Sequence, residues 1–350
     1  MKLYSTAAWR IYFSKVQVNN VSAVPAKGPV VFVPNHQNAF LDAVLVICTT
    51  PRNPWSIARA SVFKEGFVTS LLTAIQIKPV FRVRDGFGSL RNNDAIIQEW
   101  TKMLGQGNDI LIFAEGNHNE PYATGSLQRG FARMTLQFQQ KHPNTPLTII
   151  PVGFHYDDHH SFRSRVLLNY GDAIVVNDLL KDTMSEREKL DTIVDTTDGS
   201  LKRLALEIKF DDDYKAKVEF LRKYRRREND MLAQLEADRE ILKLYPNPPA
   251  DFVPGKKVPT IWKVINPVVW LGWILHILPY SFIKGFIKAK VKDAQFISSL
   301  KYAFGMFLIP LYYLILVLVF YGVTRDIPAT LIFAVVLPLS GIAATELLKK

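Results

Sequence analysis

Val30-Val31-Phe32-Val33-Pro34-Asn35-His36-Gln37-Asn38-Ala39-Phe40-Leu41-Asp42 runs from a short apolar β-type segment into a polar turn that carries a histidine and, six positions on, a carboxylate. That pairing suits a general base. A neutral imidazole takes the proton of an alcohol as it attacks a carbonyl, while a carboxylate fixes the tautomer and stabilises the imidazolium that forms. On this reading His36 is the base and Asp42 its orienting partner, and the substrate's own hydroxyl is the nucleophile, so no serine or cysteine is needed. A histidine near an aspartate is also common in proteins without catalysis, and the residues downstream of Asp42 decide between the two readings.

Outward from this stretch, residues 30–176 alternate β-rich runs with helical patterns, the signature of an α/β layer fold. The expected strands are 30–33, 55–59, 77–81, 109–113, 147–152 and 166–170. Between two of them, residues 95–104 place Ile96, Trp100, Met103 and Leu104 at helical spacing, with Gly105 where a C-terminal cap falls. One sheet with helices on its faces is expected, and no internal repeat interrupts it.

The chain has 350 residues, enough for one large α/β core and an appendage. Its 43 Lys plus Arg against 32 Asp plus Glu leave a net charge of +11, which fits phospholipid headgroups, phosphate-bearing substrates or nucleic acid. The single cysteine, Cys48, follows the apolar run Val44-Leu45-Val46-Ile47 and reads as a core residue; no intramolecular disulfide can form, which points to a reducing compartment. No long apolar segment precedes Arg10 and Lys15, so a cleaved secretory signal is not expected and an amphipathic first helix is.

From Ser185 to Leu244 charged helix formers dominate, read as a solvated helical pair, with Arg225-Arg226-Arg227 a surface contact for lipid or nucleic acid as the competing reading. The mixed His155, Asp157, Asp158, His159 and His160 run reads as an exposed, solvated loop rather than a metal site. Pro246, Pro248, Pro249 and Pro254 mark a linker. Beyond it, residues 304–323 and 327–345 carry no charge and are each long enough to cross a hydrocarbon core, joined by the tight Thr324-Arg325-Asp326 link. Lys284, Lys288, Lys290, Lys292 and Lys301 before this hairpin, and Lys349 and Lys350 after it, put both flanks in the cytoplasm by the positive-inside rule. Residues 264–283 are also uncharged, but Asn266, Pro267, His276 and Pro279 favour an interfacial or re-entrant segment.

Four further blocks come after the histidine in order. They are Ile77-Lys78-Pro79-Val80-Phe81-Arg82-Val83-Arg84-Asp85-Gly86, Ile110-Leu111-Ile112-Phe113-Ala114-Glu115-Gly116-Asn117-His118-Asn119, Gly125-Ser126-Leu127-Gln128-Arg129-Gly130-Phe131 and Ile149-Ile150-Pro151-Val152-Gly153. Together with Asn35 to Asp42 they resemble the motifs of the glycerolipid acyltransferase superfamily, which contains glycerol-3-phosphate and 1-acylglycerol-3-phosphate O-acyltransferases. The usual motif leaves four residues between His and Asp; here there are five. That spacing resembles the subgroup of fungal glycerol-3-phosphate/dihydroxyacetone-phosphate acyltransferases and related bacterial proteins.

The resemblance implies an α/β fold with a mixed sheet flanked by helices; the charged helical segment and the C-terminal transmembrane helices, read from composition, are expected to follow it. It implies His36 and Asp42 as the catalytic pair and Arg82, with Arg84 a second candidate, as contacts of the acceptor's phosphate, for which a guanidinium fork is well shaped. Glu115 and Gly116 would hold an acceptor hydroxyl or the base, with a helix-capping role the structural alternative for Glu115. His118 and Arg129 are further candidate substrate contacts. The 149–153 strand is read in the family as lining the acyl site and is equally compatible with core packing.

The implied partners are acyl-CoA or acyl carrier protein as donor, a glycerophosphate or lysophospholipid acceptor, and membrane phospholipid. No cofactor, metal or nucleic acid is expected. The expected organisation is an acyltransferase domain at 1–180 with its motif region at 30–155, a charged helical segment and linker at 181–256, and a membrane region at 257–350, with the catalytic domain on the cytoplasmic face of an integral membrane protein. A different lyso-lipid acceptor, or an inactive lipid-binding membrane module, are the alternatives. No Gly-x-Ser-x-Gly elbow and no phosphate-binding Gly-rich loop with a following Lys-Ser/Thr occurs, which removes the main support for hydrolase and nucleotide-binding readings.

Overall fold

The computed structural model describes residues 2–59, 76–80, 89–116, 122–252, 266–291 and 293–349. Among the described residues eight strands form one mixed sheet: β1 Lys15–Asn19, β2 Val30–Pro34, β3 Trp55–Arg59, β4 Ile77–Val80, β5 Ile110–Leu111, β6 Thr148–Tyr156, β7 Arg165–Tyr170 and β8 Ile174–Val175. Their order is β1-β7-β6-β2-β5-β3-β4, with β8 beside β6. β2 lies between β5 and β6 and is parallel to both; β3 is parallel to β5 and β4, and β6 is antiparallel to β7 and β8. Every residue of β2 and β6 is buried, which is why both read as near-continuous apolar runs.

Alternation along β2 sorts its side chains between two layers. Val30 and Phe32 face α1 (Lys2–Tyr12) and α2 (Ala39–Thr49), packing with Trp9, Phe13, Leu45 and Phe154. Val31 and Val33 face α3 (Ser89–Gly105), α4 (Arg129–Lys141) and α5 (Glu186–Leu204), through Trp100, Phe131, Phe138 and Ile193. Helix α5 starts at a reciprocal capping box between Ser185 and Glu188, and its far end presses so closely on β6 that a Cβ at Gly153 would lie 2.5 Å from the Leu204 carbonyl.

The charged segment that read as a solvated pair consists of three helices: α5, α6 (Tyr214–Tyr224) and α7 (Met231–Lys243). α5 packs on the sheet through Leu190, Ile193 and Leu201, and α6 and α7 pack on the sheet and on each other through Leu167, Leu206, Tyr214, Leu221, Met231 and Leu235. Arg225 is not a surface residue. Its guanidinium grips the Asp238 carboxylate bidentately, with Nε to Oδ1 at 2.9 Å, and donates to the carbonyl of Asp157 at 2.6 Å. The His/Asp run is likewise no exposed loop, since His155 is 1% exposed at the end of β6 and His159 is 5% exposed. Their burying partners come from α7 and from a helix far along the chain, which no local pattern reveals.

Beyond the linker lie α8 (Pro267–Lys290), α9 (Phe296–Thr324) and α10 (Ile327–Lys349). All three are long and apolar enough to cross a membrane. The stretch expected to be interfacial or re-entrant forms a continuous helix through Pro279. α8 packs by small residues against α10, where Gly272 meets Ser340 and Ala344, and by polar links to α9, where His276 Nε2 lies 2.7 Å from the Tyr313 hydroxyl. The first turns of α9 are inside the α/β domain, with Ser298, Ser299, Tyr302 and Met306 buried against α1 and α2.

Candidate active site

The parallel strands β2, β3, β4, β5 and β6 all end at one edge of the sheet, where ligands of such sheets gather. Asn35 carries the pairing of β2 with β6 one step further: its backbone N–H donates to the Val152 carbonyl at 3.2 Å and its side-chain oxygen accepts the Phe154 N–H at 2.7 Å. The chain then breaks away, and His36 stands at the rim of the sheet with 14% of its side chain exposed.

Helix α2 begins three residues later. Asn38 occupies its N-cap position but makes no capping bond with its side chain; Asp42, in the first turn, fills that role from inside. One carboxylate oxygen of Asp42 accepts the backbone N–H groups of Gln37 at 2.8 Å and Asn38 at 2.7 Å, and lies 3.1 Å from His36 Nδ1. The other accepts the Tyr156 hydroxyl at 2.6 Å. A fully buried carboxylate with four donors at a helix N-terminus is well compensated. With Nδ1–H donating to Asp42, the lone pair of the imidazole sits on Nε2. The ring is stacked on Phe113, beyond β5, at 3.8 Å between centroids. Burial and the neighbouring Asp42 push the Tyr156 hydroxyl well above its ordinary range, so it stays a donor.

Glu115 lies beneath the histidine. One of its oxygens accepts the His36 backbone N–H at 3.0 Å and the other accepts the Gly125 N–H at 2.9 Å, so it ties the exits of β2 and β5 to the segment leading into α4. Burial pushes its carboxyl up to about 8 against the pull of those two N–H groups. Gly116 comes next with φ +69°, a left-handed conformation natural to glycine, and a Cβ there would press on Gln128 at 3.0 Å.

Arg129 opens α4 and its half-exposed guanidinium pairs with Asp191 of α5. Arg82, Arg84 and His118 lie outside the described residues; β4, which precedes the two arginines, ends at the same edge as β2. The strand 149–153 has its side chains in the core, Ile150 and Val152 on one face and Ile149 on the other. Sequence reasoning missed Tyr156, 114 residues from the aspartate it touches, and Gln37, whose Oε1 lies 2.9 Å from His159 Nε2. A tyrosine at the end of a buried strand carries no signal of its own.

The acyltransferase family matches residues 15–155, which include His36, Asp42, Glu115 and Arg129 and stop just short of Tyr156. That region is similar to the glycerolipid acyltransferase superfamily. Among curated proteins it is 37% identical over 73 residues to the glycerol-3-phosphate O-acyltransferase 1 of Saccharomyces cerevisiae, covering 21% of this chain and 10% of that one. It is 26% identical over 185 residues to the 1-acyl-sn-glycerol-3-phosphate acyltransferase of Borreliella burgdorferi, covering 51% and 68% respectively. The chain spans only about a tenth of the length of the first curated relatives it matches. Among solved structures, the lysophosphatidic acid acyltransferase PlsC of Thermotoga maritima superposes with a TM-score of 0.42 at 16% identity, over 58% of this chain and 78% of that one.

Proposed function

We propose that this protein is a membrane-bound O-acyltransferase that moves a fatty acyl group from acyl-CoA or acyl carrier protein to a hydroxyl of glycerol-3-phosphate or lysophosphatidic acid in phospholipid synthesis. The observation that carries this reading is the His36–Asp42 pair: a buried carboxylate orients an imidazole at a sheet edge within an acyltransferase-family region. His36 Nε2 takes the proton of the acceptor hydroxyl as its oxygen attacks the thioester carbonyl carbon; the C–S bond breaks, and the imidazolium returns the proton to the departing thiolate. Both acceptors are kept because the yeast and Borreliella relatives are named for different ones.

Arg82 and Arg84, beyond β4, are proposed to anchor the acceptor's phosphate, so that positioning supplies much of the rate. Arg129 serves there only by exchanging Asp191 for the phosphate. Glu115 and Gly116 form the floor on which the histidine and acceptor rest, and His118 is proposed as an acceptor contact. In this reading the region 1–180 does the chemistry, 181–256 braces it, and 257–350 attaches it to the bilayer with the catalytic edge on the cytoplasmic, lysine-rich side.

The test is His36→Ala in purified full-length protein, assayed with each acceptor and with labelled acyl-CoA or acyl carrier protein. Transfer should vanish while folding and membrane association persist; undiminished transfer by that variant sinks the proposal. The wild-type panel decides the acceptor.

A further inference from the structure

The geometry points to the first turn of α9 as a positioning element of the transfer site, with Ser299 as its central residue, an inference that rests on the acyltransferase reading of His36 and Asp42. Ser299 is wholly buried and its hydroxyl enters the turn between those two residues, donating to the Asn38 carbonyl at 2.6 Å and accepting the Leu41 N–H at 3.1 Å from 258 residues along the chain. Leu41 N–H, in the first turn of α2, also reaches the Asn38 carbonyl at 3.1 Å, so the Ser299 hydroxyl bridges the two ends of a tight turn that already closes on itself. The turn therefore has two clamps. Asp42 holds the Gln37 and Asn38 N–H groups, and Ser299 holds the groups on either side of Ala39.

The turn needs clamping. Ala39 has φ +44°, a left-handed backbone that costs a non-glycine residue roughly 1 to 2 kcal/mol. A conformation of that kind persists only while its surroundings over-determine it, and His36 sits three residues upstream.

A second path runs through the neighbouring side chains. The Ser298 hydroxyl donates to the carbonyl of His159, whose Nε2 lies 2.9 Å from Gln37 Oε1, and the Gln37 N–H in turn donates to Asp42. Lys301 Nζ donates to the His160 carbonyl at 2.7 Å. One turn of α9 thus secures both loops beside the histidine, and the same helix continues outward as an apolar rod exposing Phe307, Leu311, Leu314 and Leu318. The helix that enters the membrane is part of the site's second wall and not an interchangeable anchor.

The experiment uses full-length protein reconstituted in phospholipid nanodiscs, with wild type and His36→Ala assayed first for acyl transfer. Ser299→Ala is expected to lower kcat roughly 10- to 100-fold with the KM of donor and acceptor little changed. Ser299→Thr, which keeps the hydroxyl, should be more active than Ser299→Ala. Tyr302→Phe removes a hydroxyl from the same helix that donates to the Ser5 carbonyl instead of the motif turn, and should keep wild-type kcat. Folded fraction and thermal stability are read in the same preparations. Wild-type kcat in folded Ser299→Ala, or an equal loss in Tyr302→Phe, overturns the inference; if Ser299→Ala does not fold, Ser298→Ala takes its place, and wild-type kcat there overturns it too. A wild-type protein inactive with every donor and acceptor fells the acyltransferase reading itself, which is a separate result.

Discussion

Asp42 illustrates how a single carboxylate can serve fold and chemistry together. Its two oxygens face four donors, so replacing it by asparagine turns an NH₂ group toward at least one of them and removes the partner that holds Nδ1–H of His36. Asp42→Asn is expected to cut kcat by roughly 10² to 10⁴ in protein that still binds membranes, measured as turnover per folded molecule. Tyr156→Phe leaves one buried oxygen of that carboxylate unsatisfied and should cost about 1 to 3 kcal/mol in denaturant unfolding. Glu115 adds a pH signature. Its carboxyl titrates near 8 when folded against 4.5 in an unfolded chain, so between those values the folded protein holds a proton the unfolded chain has lost. The stabilisation is complete below about pH 4.5 and drains as pH rises toward 8, by at most about 1.4 kcal/mol per pH unit. Glu115→Gln does not titrate, so the stability difference between wild type and variant should shrink steadily from about pH 5 to pH 8.5. A difference that is flat across that range would show that Glu115 is ionised in the folded protein.

Helices α6 and α7 are attached to the sheet by a polar network rather than by apolar contact alone. Asp238, fully buried, receives Arg225 and, at 2.9 Å, His155 Nε2, while Gln234 bridges to the same carboxylate at 2.9 Å. Asp238→Ala strands a buried guanidinium and should cost about 3 to 5 kcal/mol in chemical denaturation. Breaking the exposed Lys243–Glu240 pair on the same helix should barely register. The network also explains where sequence reading stopped. The strands around 30–34 and 147–152 were legible because central buried strands are continuously apolar, those at 55–59, 77–80 and 166–170 as short β-rich runs between helical patterns, and α3 because its heptad-like stripe ends in a glycine. β1 was not: Lys15-Val16-Gln17-Val18-Asn19 is a half-buried edge strand of mixed polarity that pairs with a strand 150 residues away. His155, His159 and Arg225 read as solvated because polarity is local and burial is not. In the candidate site the His36–Asp42 pair was legible from spacing, whereas Tyr156 and Ser299 reach it only through the fold.

At the scale of the whole molecule, the docking of α9 constrains how many times the chain can cross a bilayer. α9 starts inside the α/β domain and α10 returns to it, Glu346 meeting Arg163 at 2.7 Å, so the link at 324–326 lies about 43 Å away along a 29-residue helix. Helix α8 runs antiparallel to α9: the Tyr312 hydroxyl donates to the Leu275 carbonyl at 2.8 Å and His276 Nε2 meets Tyr313 midway along α9, whereas Phe282 and Phe286 pack on Phe304 near its start. The first turn of α8 therefore lies toward the 324–326 link and its last toward the α/β domain. Its 24 residues reach about 36 Å, enough for a hydrocarbon core, and α8 is expected to cross the bilayer beside α9 and α10. The check is cysteine labelling in sealed vesicles, with Cys48 replaced and single cysteines placed at Asn266, Asp293 and Arg325. A membrane-impermeant thiol reagent should reach position 293 from one side and positions 266 and 325 from the other. Shared labelling of 266 and 293 would mean that α8 enters the leaflet without traversing it.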